Sequence, residues 1–466
     1  MSRKYISINT YFLVFLFIVL MAILTWIIPG GEYQFQEMDG RKIVVPNSFK
    51  KVERNPQGLF SILIAPIKGF SDPNVTLIIG FVLIIGGVFS VLQRTGTIDS
   101  LIRVMASHVK KKPFLDKFFI PIFMIIFSIG GATFGMSEEV IPFVILFIPL
   151  ALYLGYDTVV GVSIPFIGAG AGFASAFMNP FTVGIAQQIS GLPLFSGFTY
   201  RVICWLIVTA VAIAFVMRYA HKIRKDSSKS ITFFLDEEKR KSLNLNELDV
   251  NEKLLLKHKL VGIVFLLGIS FMIFGVLKYR WYIDKITAIF LAIGIIGAIV
   301  GRLKIDEFTT SFISGAKDLV GTAFIIVMAR GILYIAQDGK IIDTILHSAT
   351  NLIKGFHPYV TAVMMFITQT IINFFVPSGS AKAALTMPLM APLADLTGLS
   401  RQVAVLAYQF GDGFTNMVVP TSAVTMTVLS SAQIPYEKWV GTVWKLQIWF
   451  FITGLILILP PVLTGW

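Results

Sequence analysis

The chain has 466 residues, of which 55% are hydrophobic and only 14% charged, well under the quarter usual in soluble domains. That balance excludes an ordinary soluble enzyme. The net charge of +13 sits in loops between apolar runs, where a positive-inside bias accounts for it without nucleic acid.

Apolar runs near 20 residues recur throughout: 9–29, 75–92, 114–134, 157–178, 201–218, 259–277, 282–301, 318–336, 359–377, 401–420 and 442–462. Each can cross a hydrocarbon core of about 30 Å at about 1.5 Å per residue. The pattern predicts an all-α polytopic membrane protein with 11–13 transmembrane helices. The first run is too long for a signal-peptide core and lacks a small-residue cleavage site. It is expected as an uncleaved first helix, N-terminus in the cytoplasm. The single cysteine, Cys204, leaves no partner for an intrachain disulfide.

Residues 1–217 read as a first membrane half, 218–259 as a polar cytoplasmic linker, and 260–466 as a second half. The halves resemble each other. "QRTGTIDSLI" (93–102) matches "QDGKIIDTIL" (337–346), and Ser137/Ser380, Pro149/Pro392, Gly155/Gly398, Gly168/Gly411 and Gly170/Gly413 keep one offset. Duplicated halves, inverted in the membrane, are a recurring build for secondary transporters, with the site near the midplane. Two short proline-containing stretches, 137–155 and 378–397, read as re-entrant hairpins. Non-helical backbone at such depth survives only inside protein or beside a watery cavity. The glycine clusters 168–172 and 411–413 are expected to unwind the next helix opposite each tip.

Ionisable groups at membrane depth are candidates for function, since each costs at least a few kcal/mol unless paired. Glu138, Glu139, Lys382, Asp412 and Arg330 stand out. Ser137, Asn179, Ser378, Gly379, Ser380, Thr415 and Asn416 supply hydrogen-bonding groups around the same breaks. Gly170, Thr182, Gly413, Thr421 and Ser422 are candidates for holding a coupling ion, sodium or a proton. No catalytic residues, metal site or other cofactor are expected. His108, His221, His258, His347 and His357 lie in linkers or at helix ends, and neither an HExxH nor a Walker-type GxxxxGK[ST] occurs.

"VPSGSAKAALTMPLMAPLADLTGLSRQVAVLAYQFGDGFTNMVVPTS", with "GMSEEVIPF" and "ARGILYIAQDGKIIDTIL", resembles the anaerobic C4-dicarboxylate carrier family, within it the YfcC-like branch, over essentially the whole chain. The resemblance implies a member of the ion-transporter superfamily: a homodimer in the inner membrane with a scaffold, two hairpins per protomer and elevator-type alternating access. Members of the family are dicarboxylate carriers or basic amino-acid antiporters of the arginine/ornithine type. The mixture of Glu138, Glu139 and Asp412 against Lys382 favours an amino acid. Lys382, Ser378, Ser380 and the hairpin backbone would hold its α-carboxylate, and the acids its cationic groups. The alternatives are a sodium- or proton-coupled succinate-type carrier and a passive channel.

Overall fold

The computed structural model describes residues 10–38, 41–98, 100, 104, 113–242, 255–279, 281–353 and 356–466. The N-terminal 1–9, His108 and the middle of the linker, 243–254, lie outside the described residues.

Helix α1 (Thr10–Ile27) ends just before Pro29, whose ring removes a helical N–H. The following stretch corrects the all-helical expectation. Strand β1 (Gly31–Glu32) pairs antiparallel with β4 (Lys50–Lys51), and β2 (Phe35–Met38) with β3 (Arg41–Val44). The β-branched run Ile43-Val44-Val45 favours an extended, half-buried ribbon.

The first half continues with α2 (Leu59–Phe70), α3 (Pro73–Arg94), α4 (Pro113–Phe134), α5 (Val140–Tyr153) and α6 (Thr158–Ala174). A π-helical turn, Pro180–Gly184, leads into the short α7 (Ile185–Ile189). Helix α8 (Phe198–Lys225) runs past the expected linker boundary at 218, and α9 (Phe233–Ser242) lies within the linker. The remainder comprises α10 (Leu256–Tyr279), α11 (Ile283–Val300), α12 (Ile305–Asp318), α13 (Val320–Asp338), α14 (Ile342–Ile353) and α15 (Pro358–Phe375). After these come α16 (Gly379–Leu396), α17 (Arg401–Gly413), α18 (Ala423–Ala432) and α19 (Tyr436–Thr464).

Among the described residues, eight stretches are long and apolar enough to cross a membrane: 75–94, 117–134, 198–225, 256–276, 283–300, 305–338, 358–375 and 436–464. The runs 157–178 and 401–420 yield shorter helices, of 17 and 13 residues, whose starts are capped by Asp157 and Ser400, accepting from the N–H groups of Val160 and Val403.

The glycine clusters do not unwind their helices. Helix α6 is continuous through Gly168, Gly170 and Gly172, and α17 through Gly411. These glycines let backbones touch. A Cβ on Gly131 would meet Ala169 O, and one on Gly172 would lie 2.6 Å from the Ser128 carbonyl carbon. Helices α4 and α6 are therefore packed main chain to main chain. A Cβ on Gly413 would strike the Ala174 backbone, so the ends of α6 and α17 abut in the same way. The chain breaks just after these ends, at 175–179 and at the 3-10 turn Thr415–Met417.

Helix α9 and the turn before it strap four other elements. Asp236 accepts from the Thr158 N–H at the start of α6, and Arg240 donates to Leu152 O (2.7 Å) and Tyr156 O (2.6 Å) beyond α5. Lys239 donates to Ala432 O at the end of α18, 2.8 Å away, and Lys438 of α19 reaches Ile231 O at 3.3 Å. These bonds satisfy helix-end groups that lack intrahelical partners. Burial pushes the Lys239 ammonium down from a lysine's ordinary 10.5 to about 8, against the attraction of Asp236.

Candidate functional site

Two chain breaks meet at one cavity. The first follows α4, where Gly135 takes a φ of +74°, a value that favours glycine. Its sharp turn sets Glu138 and Glu139 immediately before α5, with the Ser137 N–H donating to Glu139 Oε2 at 3.0 Å. Two carboxylates thus sit at the positive end of α5, where the helix dipole favours them. The second break precedes α16. Ser378 is its N-cap but makes no side-chain capping bond. The N–H groups of Gly379, Ser380 and Ala381 have no intrahelical acceptor by helix geometry, and no acidic side chain stands in the first turn. One helix start carries its own anions, and the other is open to one.

The cavity encloses about 690 Å³. Of the residues singled out from sequence, Ser137, Glu138, Glu139, Ser378, Gly379, Ser380, Asn416 and Arg330 line it, as do Gly170, Thr182, Gly413, Thr421 and Ser422. Helices α3, α6 and α13 complete the walls through Val75, Phe166 and Leu333. The lining does not include Asn179, Lys382, Asp412 or Thr415. Asn179 instead is buried at the start of the π-helical turn, where its Oδ1 accepts from the Phe181 N–H at 2.9 Å.

Lys382 and Asp412 form a wholly buried ion pair behind the α16 loop, 2.9 Å apart. The ammonium also donates to Asn373 Oδ1 at 3.1 Å and lies 5.5 Å from the Tyr408 ring centroid. The Asn373 amide spans the break after α17, donating to Asp412 O (3.0 Å), Thr415 Oγ1 (2.8 Å) and Asn416 Oδ1 (2.8 Å). Tyr408 closes the cluster by donating to Gly379 O at 2.6 Å, inside the first turn of α16. A buried network of this kind fixes geometry, because a member left unpaired in low dielectric is costly.

Sequence reasoning missed several of these groups. Gln369 and Asn373 stand four apart in the apolar run of α15, so they share one helix face, toward α16, where Gln369 Nε2 donates to Thr386 Oγ1 and Lys382 donates to Asn373 Oδ1. That spacing was a readable signal. Asp72 was not singled out either; it is the partner of Arg330, whose Nε lies 2.9 Å from Asp72 Oδ2. Lys42 of β3 and Tyr282 also line the cavity.

With Lys382 set against Asp412 and Arg330 against Asp72, the local charge balance differs from the expected one. Among the described residues, no lysine or arginine forms an ion pair with Glu138 or Glu139. Among the described residues, the cavity therefore combines two carboxylates without a basic partner, an uncapped helix N-terminus and Lys42.

The family model for the C4-dicarboxylate anaerobic carrier matches residues 9–462. "Putative basic amino acid antiporter YfcC" of Escherichia coli is 35% identical over 503 residues, covering 100% of this chain and 98% of that protein. An uncharacterized protein of Haemophilus influenzae is 31% identical over 424 residues, 91% of this chain and 82% of its own. Among solved structures, the YdaH transporter of Alcanivorax borkumensis covers 98% of this chain and 99% of its own, at 14% identity and a TM-score of 0.43.

Proposed function

The chain belongs to the C4-dicarboxylate anaerobic carrier family, as a multi-pass membrane protein and secondary transporter, and from that premise we propose that it exchanges amino acids with basic side chains. One observation carries this reading: Glu138 and Glu139, without a basic partner, share a cavity with the uncapped start of α16. The first suits an ammonium or guanidinium, and the second an α-carboxylate. The name of the Escherichia coli relative supports the same class.

In this reading the first-turn N–H groups of α16, with Ser378 and Ser380, receive the α-carboxylate. Lys382 is held by Asp412 and acts as a brace for α16 rather than a ligand. Glu138 and Glu139 hold the cationic end. Sodium or a proton couples through Gly170, Thr182, Gly413, Thr421 and Ser422, all on the cavity wall.

The same proposal takes the α5 and α16 regions as re-entrant hairpins of two inverted halves in a homodimeric inner-membrane protein, with the linker cytoplasmic. Equal spacing supports the duplication. Thr158 and Arg401 open α6 and α17, and Pro180 and Ala423 open the segments that follow, both pairs 243 positions apart. Alternating access is of the elevator type.

Counterflow into proteoliposomes tests the function. Labelled arginine or ornithine should accumulate against unlabelled substrate trapped inside. Succinate uptake with no amino-acid exchange would transfer the assignment to a dicarboxylate carrier, which the open start of α16 and Lys42 also suit. Flux that is not saturable and shows no counterflow would instead indicate a channel.

A further inference from the structure

The cavity has one contributor that belongs to neither chain break. Lys42 projects into its wall from β3, a strand that packs against α16. Val44 and Ile43 are buried there, 0% and 5% exposed, and seat the ribbon, while Lys42 stays exposed.

The base of this ribbon is tied elsewhere. Gly31 N–H donates to Lys340 O at 3.0 Å, Tyr33 N–H to Asp343 Oδ2 at 2.9 Å, and Glu32 pairs with Lys340 at 3.0 Å. One short ribbon therefore bridges the α13–α14 junction and the helix whose start faces the cavity. Glu37 stands opposite Lys42 in the β2–β3 register, yet among the described residues neither forms an ion pair. The other basic group on the cavity wall, Arg330, is held by Asp72. Among the described residues of the cavity wall, Lys42 is thus the basic group not held by a carboxylate.

We propose that Lys42, held at the cavity wall by the β2–β3 ribbon, is a specificity-determining residue, selecting solutes that carry a carboxylate. The proposal rests on reading this cavity as the transport site. Lys42 and the start of α16 would draw in the acidic end of a solute, while Glu138 and Glu139 take the basic end. A plain amine of the same length would satisfy only half of that pattern.

The field of Lys42 can be measured without knowing the solute. Cys204 is buried, so a Ser380→Cys variant offers one accessible thiol on the cavity wall. Its labelling rates by an anionic and a cationic methanethiosulfonate are compared with Lys42 present and in Lys42→Gln. Removal of the lysine should lower the anionic-to-cationic ratio about three- to tenfold, the effect of one charge in a confined aqueous site. An unchanged ratio overturns the proposal. In counterflow, Lys42→Gln on an otherwise unchanged chain should raise KM for the amino acid about tenfold with kcat retained. It should also narrow the preference over the decarboxylated amine. A shifted labelling ratio with no amino-acid counterflow in the unmodified protein leaves Lys42 in place and overturns the transport reading alone. Counterflow with full discrimination retained in Lys42→Gln overturns the role of Lys42 alone.

Discussion

Lys382 and Asp412 stand 30 positions apart and form an ion pair with neither side chain exposed to solvent. Two charges so buried are stable only together. Asp412→Ala should destabilise the protein by about 3–5 kcal/mol, since it leaves an ammonium stranded in low dielectric. The double variant Lys382→Met with Asp412→Leu should recover most of that loss in a detergent thermal melt. Equal melting temperatures for the single and double variants would show that the pair is not the stabilising unit.

Glu138 and Glu139 line the cavity and should act on solute rather than on folding. Glu138→Gln should lower kcat/KM for a cationic amino acid by about 10²- to 10³-fold, through loss of a charge-assisted contact in a confined site. Its melting temperature should stay within a few degrees of the parent's. A matched fall in stability would assign the residue to the scaffold instead.

Gly172 has no room for a methyl group, because the Ser128 backbone occupies the space. Gly172→Ala should cost about 1–3 kcal/mol by forcing α4 away from α6. Gly155→Ala gives the contrast. No atom lies within 4 Å of its Cβ position, and its loss should trace only to the +86° φ. Paired melts separate close approach from backbone strain.

Lys239 predicts a pH dependence with a definite sign. Its ammonium titrates at about 8 when α9 is docked and near 10.5 when free. The undocked form therefore binds more protons between those values, and docking strengthens as pH rises from about 8 to about 10.5, by at most tenfold per unit. Below 8 this contribution is lost. Chymotryptic cleavage at Phe233 and Phe234, measured relative to an unstructured reference peptide, should slow across that window. Lys239→Met should flatten the profile.

The long helices were legible because an apolar run cannot be anything else in lipid, and α3, α10 and α19 follow their runs closely. Charges such as Glu138 and Lys382 were legible for the same reason: they stand out against apolar neighbours. The pairing of Lys382 with Asp412 was not, because it depends on how α16 lies against α17. Gly168 and Gly172 illustrate a deeper ambiguity. A glycine can release a helix or admit a neighbour, and only the tertiary partner, here Ser128 and Met124, decides which. The ribbon at 31–51 escaped notice because its strands are two to four residues long and charged.

Main-chain contacts at glycine also divide the molecule into sets of helices. Gly315 meets Gly86 across α12 and α3, and Gly69 meets Val327 across α2 and α13, just as Gly131, Gly172 and Gly413 join α4, α6 and α17. Backbones in such contact leave no gap for a side chain, so the helices within each set are closely packed. The cavity is walled by α3 and α13, from two of these sets, and by α6 from a third. The cavity thus lies where these backbone-joined sets of helices meet one another through side chains rather than main chain.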